Sequence, residues 1–186
     1  MDTDVSELAR PRRGHFDLGT GYHGDLWLDL DSLFLRPARL APAIQQLASE
    51  LRRYEPAAVC GPWSGGAFLA QQLALALDTA FLPAYPDRAA GRRIPAALRG
   101  QLSGWRIALV DDAINAGTAV RASHEELRAA GAAPVAVAAL LALGQASAFA
   151  AGTLGLPLHA LATLDSQVWP ATGCPLCQRG LPLTQH

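Results

Sequence analysis

Residues 107–119 read Ile107-Ala108-Leu109-Val110-Asp111-Asp112-Ala113-Ile114-Asn115-Ala116-Gly117-Thr118-Ala119. A short apolar run of strand character ends in two adjacent carboxylates, and a turn of small residues then opens a stretch at helical spacing that continues to about Ala130. Backbone N–H groups in such a turn, and in the first turn of the helix after it, have no intrahelical acceptor. A phosphate placed there gains charge-assisted hydrogen bonds and the field of the helix dipole. Two carboxylates beside that phosphate would repel it, unless they accept hydrogen bonds from sugar hydroxyls or hold Mg²⁺ through water. A phosphorylated ribose meets both conditions. The competing reading is a plain strand-to-helix turn with an aspartate as helix cap.

The same strand, glycine turn and helix recur on either side. Ala57 to Gly61 leads through Pro62-Trp63-Ser64-Gly65-Gly66 into a helix near Ala67 to Leu77, and Pro134 to Leu141 precedes a shorter helix around Ala146 to Ala151. Further strands are expected at Ala80 to Ala84 and Leu158 to Leu164. The pattern predicts an α/β fold with about five mainly parallel strands and helices on both faces, and ligands in such sheets collect at the carboxyl ends of the strands. Before this core, Phe16 to Leu35 largely alternates apolar and polar residues, as a half-exposed strand or hairpin does, and a helix follows from about Pro37 to Arg53. After it, Pro170, Pro175 and Pro182 with Gly173 and Gly180 predict an irregular tail. The expected organisation is one domain over 1–186, with N-terminal elements in 1–36, the core in 37–167 and the tail in 168–186.

Composition narrows the classes of partner. A chain of 186 residues that is 51% hydrophobic can bury a full core, and a formal net charge of −1 gives no general reason to expect nucleic acid. All 15 basic residues are Arg, so no lysine is available for catalysis. Acidic residues at Asp2 and Asp4 are unlike a signal peptide, and no apolar run approaches the roughly 18 residues of a membrane span. The expectation is a soluble cytoplasmic protein that acts on small molecules. Cys60 lies on a predicted strand and reads as a small buried apolar residue. Cys174-Pro175-Leu176-Cys177 offers half of a zinc site, because zinc takes four ligands and the histidines are scattered.

Three further segments carry possible chemistry. Gly61 to Gly66 is a loop whose glycines would let the backbone approach an anion, or simply pack a helix on a strand, and a strained or cis peptide near Trp63 is expected. Tyr85-Pro86-Asp87-Arg88-Ala89-Ala90-Gly91-Arg92-Arg93 is a polar basic loop without apolar periodicity. Gly14-His15-Phe16 to Asp31 contains two histidines that, taken alone, read as hydrogen-bonded strand residues.

Taken together and in order, these segments resemble the type I phosphoribosyltransferases, and the Ala116-Gly117-Thr118-Ala119 ending is most similar to that of orotate phosphoribosyltransferases. The Gly-His-Phe start, the Gly-Gly loop and the Cys-x-x-Cys tail of one branch of that family point the same way. The resemblance implies transfer of phosphoribose from phosphoribosyl pyrophosphate (PRPP) to orotate with Mg²⁺, in a homodimer, as a step of pyrimidine biosynthesis. By motif position it assigns the ribose hydroxyls to Asp111 and Asp112, with Ala113 and Ile114 in the same PRPP segment, and the 5′-phosphate to Asn115, Ala116, Gly117, Thr118 and Ala119. Pyrophosphate falls to Trp63, Ser64, Gly65 and Gly66, and to Arg88, Arg92 and Arg93 on a loop that in this family is mobile and closes over the pyrophosphate of the neighbouring subunit; the base falls to Thr20, Gly21, His23 and Asn115. Arg88, Arg92 and Asp112 are the implied catalytic residues. No metal is assigned to the protein itself, since Mg²⁺ is held mainly through PRPP.

The sequence departs from the family at the base and at the loop. The family's Thr in the PRPP segment is Asn115, the Arg expected to pair with the orotate carboxylate is missing from Leu141 to Gln145, and the basic loop lacks its Lys and His. Arg can replace Lys as a clamp but stays charged and cannot donate a proton. A transferase for another base, or a PRPP-binding sensor without turnover, therefore stand as alternatives.

Overall fold

The computed structural model describes residues 5–19 and 21–185. A short helix α1 (Val5–Leu8) leads into a hairpin of β1 (Arg12–Asp17) and β2 (Tyr22–Trp27), and helix α2 (Ala41–Arg52) follows two short 3-10 turns. The core then runs β3 (Ala58–Pro62), α3 (Gly65–Leu77), β4 (Ala80–Asp87), β5 (Gly91–Arg93), α4 (Ala96–Arg99), β6 (Arg106–Ile114), α5 (Thr118–Ala129), β7 (Ala133–Leu143), α6 (Ala146–Phe149) and β8 (Leu158–Leu164). The chain closes with β9 (Val168–Pro170) and α7 (Pro175–Gln178).

The expected α/β sheet is present. Its order is β5-β4-β3-β6-β7-β8, with β4, β3, β6, β7 and β8 parallel and β5 added antiparallel to β4. β3, β6 and most of β7 are buried residue after residue, as strands covered on both faces must be. One core layer joins α2 and α3 to the sheet through residues such as Leu47, Leu69, Leu73 and Leu140. The opposite layer holds Leu102, Ile107, Leu109 and Leu127 under α5.

Two expectations need correction. The tail is not irregular throughout, because β9 pairs with β2 (His23 with Trp169, Gly24 with Val168) and extends the N-terminal hairpin to a three-stranded sheet β1-β2-β9, here called the hood. No cis peptide occurs among the described residues, at Trp63 or elsewhere. Ser64, next to Trp63, is in an extended conformation that any residue adopts (φ −164°).

Candidate active site

β3 and β6 are neighbouring parallel strands, so the loops leaving their carboxyl ends stand side by side. Asp111 and Asp112 lie in the last part of β6, only 7% and 8% exposed. Glycine is required opposite them: a Cβ on Gly65 would overlap the Asp112 carboxylate, and one on Gly66 would press on Asp111 Oδ1. The Gly65-Gly66 loop and the acid pair thus form one site, with the amino end of α3 facing the carboxylates. Glycines expected to admit a ligand anion also admit the protein's own acids.

Burial raises the pKa of both acids, Asp111 well above the ordinary carboxylate range, and the charge of Asp112 adds to the shift at Asp111. Asp31, from the segment after β2, raises Asp112 further. Arg92 acts the other way on Asp111 and lowers its pKa, so its charge reaches the acid pair of its own chain. Arg93, expected beside Arg92 on pyrophosphate, is paired with Asp87 at 3.3 Å. Asp87 also accepts the N–H groups of Ala89 and Ala90 at 3.0 and 2.8 Å, which closes the turn of the β4–β5 hairpin, while Arg88 on that turn is exposed. Buried Glu126 of α5 accepts from the Ile94 N–H at 3.3 Å and from Arg99 Nε at 2.9 Å, tying the segment after the hairpin to α5.

Beyond the acids, Gly117 caps α5 in the left-handed conformation (φ +68°) without any side-chain cap, so the first N–H groups of α5 stay open. A Cβ there would also strike the ring of Phe149, so only glycine fits on both grounds. Asn115 borders a cavity of about 680 Å³ between hood and core, lined also by Tyr22, Gln145, Ser166, Gln167 and Trp169, and a smaller apolar one of about 210 Å³ beside it.

Among the residues expected at the base, Thr20 lies outside the described residues. Gly21 sits at the hairpin turn, where its carbonyl accepts from the Ala171 N–H at 2.9 Å. His23 is buried, with Nδ1 3.1 Å from His15 Nε2 and 3.3 Å from Cys177 Sγ, so that nitrogen faces the tail. Sequence reasoning missed Ser166 and Gln167. Both follow β8 at the carboxyl edge of the sheet, where the polar run Asp165-Ser166-Gln167 was a usable signal, and the buried Ser166 hydroxyl has no partner among the described residues.

Strand order, acid pair, glycine loop and open helix end are those of a type I phosphoribosyltransferase, and solved structures agree. Orotate phosphoribosyltransferase from Aeropyrum pernix superposes with a TM-score of 0.67 at 24% identity, over 86% of this chain and 91% of that one. Adenine phosphoribosyltransferase from Thermoanaerobacter pseudethanolicus gives the same TM-score at 17% identity, over 86% and 98%, so the fold alone does not choose a base. In sequence, the orotate phosphoribosyltransferase of Thermus thermophilus is 32% identical over 98% of this chain and 99% of its own length, and the chain belongs to the orotate phosphoribosyltransferase family. No family model matches the chain.

Proposed function

We propose that the protein transfers phosphoribose from PRPP to a ring nitrogen of orotate, giving orotidine 5′-monophosphate and pyrophosphate. The observation that carries this reading is the buried Asp111-Asp112 pair packed on Gly65-Gly66, one turn of chain before the open end of α5, in a member of this family. Asp111 and Asp112 accept hydrogen bonds from the ribose 2′ and 3′ hydroxyls, and residues 115–119 hold the 5′-phosphate on backbone N–H groups. The base nitrogen attacks the anomeric carbon as the bond to pyrophosphate breaks, with inversion. No protein nucleophile is needed, so positioning and charge stabilisation supply the rate. Arg92, with Arg88 from the hairpin turn, takes up charge on the departing pyrophosphate.

Mg²⁺ supplies further neutralisation on the pyrophosphate when bound. Two buried carboxylates facing a helix end and an arginine suit water-mediated contact with it rather than a cage of protein ligands. Asn115, Gln145 and Gln167 give the base cavity amide donors and acceptors, and Ser166 adds a hydroxyl. A cytoplasmic homodimer is part of the same proposal. No helix among the described residues is long and apolar enough to cross a membrane; Phe68 and Leu75 of α3 are exposed, and so is Leu35, which borders the same hollow as Phe68, leaving apolar surface for a second copy.

One observation favours a different base. The cavity lining includes Asp25 and Asp165 but no arginine among the described residues, so a carboxylate on the base meets amides and a hydroxyl instead of a guanidinium. The test is the loss of orotate ultraviolet absorbance with PRPP and Mg²⁺ present, beside a panel of bases without a carboxylate. Consumption that needs all three components supports orotate. Turnover confined to another base moves the substrate, and PRPP binding without turnover for any base makes the protein a sensor.

A further inference from the structure

Outside the site, four potential metal-ligand side chains converge in the hood. His15 on β1, His23 on β2, Cys174 just before α7 and Cys177 within it place one ligand atom each within 4.8 Å of all the others. His15 Nε2 stands 3.1 Å from His23 Nδ1, 3.4 Å from Cys174 Sγ and 3.6 Å from Cys177 Sγ, and Cys177 Sγ is 3.3 Å from His23 Nδ1. Zinc bond lengths in a regular tetrahedron require edges of about 3.3 Å between nitrogens and about 3.6 Å between nitrogen and sulfur. All four separations fall close to those edges. Neither cysteine is in a disulfide.

The surroundings prepare the atoms for a cation. Leu181 C=O lies 3.0 Å from His15 Nδ1 and can only accept, so in the neutral ring the proton is on Nδ1 and Nε2 turns a lone pair to the centre. A backbone carbonyl on the remote nitrogen is the usual outer-shell partner of a metal-bound histidine. His15 is 3% exposed and His23 8%, and Cys174 is buried, so three of the four ligands are enclosed while Cys177 lies at the surface.

Three backbone devices bring the four residues together. A β-bulge between Arg13 and Phe16 shifts the β1–β2 register, from Arg13 opposite Leu26 to Asp17 opposite His23. That shift puts His15 on the face of His23; without it the alternation would turn the two apart. Pairing of β9 with β2 then delivers the tail to the hairpin, and Thr184 closes the far side by donating its N–H to His15 C=O at 2.8 Å. None of this depends on which base the enzyme uses.

We propose that His15, His23, Cys174 and Cys177 bind one structural Zn²⁺ that pins the C-terminal tail to the hood. Two nitrogens and two thiolates in a tetrahedron, with no open position, select zinc over Mg²⁺ or Ca²⁺, which take oxygen. On binding, both thiols lose their protons and no electron moves. β9 and the residues before it line the base cavity, so the ion also fixes one wall of that cavity.

The experiment is elemental analysis of the full-length protein produced with zinc supplied and desalted, followed by replacement of the metal with Co²⁺. The expected result is one zinc per chain, and a cobalt form with the visible bands of tetrahedral coordination and a near-ultraviolet sulfur-to-cobalt band. Cys174→Ser combined with Cys177→Ser should lose both the zinc and the sulfur band. Cys60→Ala, in the core away from the cluster, should keep them. Should the double variant fail to fold, His15→Gln alone, leaving both thiols present, must still lower zinc occupancy several-fold and weaken the cobalt spectrum. Wild-type protein that stays free of zinc and gives no tetrahedral cobalt spectrum, or whose Cys174 and Cys177 form a disulfide in zinc-containing buffer, overturns the proposal.

Discussion

Asp111 and Asp112 must be ionised to accept two sugar hydroxyls, yet burial raises the pKa of both. PRPP binding should therefore strengthen as pH rises through a range above that of ordinary carboxylates, and then level off; titration calorimetry across pH would measure this. The sign for stability is opposite. An acid whose folded pKa is raised destabilises the fold progressively as pH climbs from its unfolded pKa through the folded one, and the loss is complete above both. Asp111→Asn with Asp112→Asn should thus raise the thermal midpoint at neutral pH, by a margin that shrinks on acidification, while PRPP affinity falls about 10- to 100-fold for each charge-assisted bond lost. Gly117→Ala should cost about 1–3 kcal/mol in chemical denaturation, since a left-handed residue gains a Cβ that meets Phe149. The acids and Gly117 were legible in the sequence because strand, acid pair and glycine turn are contiguous. The convergence of His15 and His23 with the two cysteines was not, since it depends on a bulge and on pairing across about 150 residues.

At the scale of elements, the β4–β5 hairpin separates two arginines that look equivalent in sequence. Arg93 is held by Asp87, whereas Arg92 acts on Asp111. Arg92→Ala should lower kcat/KM for PRPP by about 100-fold, in the range of losing one transition-state charge contact, and Arg93→Ala by far less. Steady-state kinetics of the two variants, with circular dichroism to check the fold, would separate them. Periodicity located the parallel strands and the helices of the core to within a few residues, because each buries a repeating apolar set. It missed β5 and β9, three residues each, which take their form from a neighbouring strand rather than from their own pattern.

On the scale of the molecule, the exposed side chains of Phe68 and Leu75 on α3, with Leu35 nearby, mark the surface that the proposed dimer would cover. Light scattering should give twice the 19.5 kDa chain mass, and Phe68→Glu should shift the population toward the single chain. The pairing of β9 and the tail with the hairpin has a consequence in time. The βαβ units close locally and can form as the ribosome delivers them, but β1 and β2 lack their third strand until residue 168 has emerged, and His15 lacks its carbonyl partner until residue 181. β1 and β2 are made before the core and completed after it, so one wall of the base cavity is assembled only once the strand at 168–170 has left the ribosome.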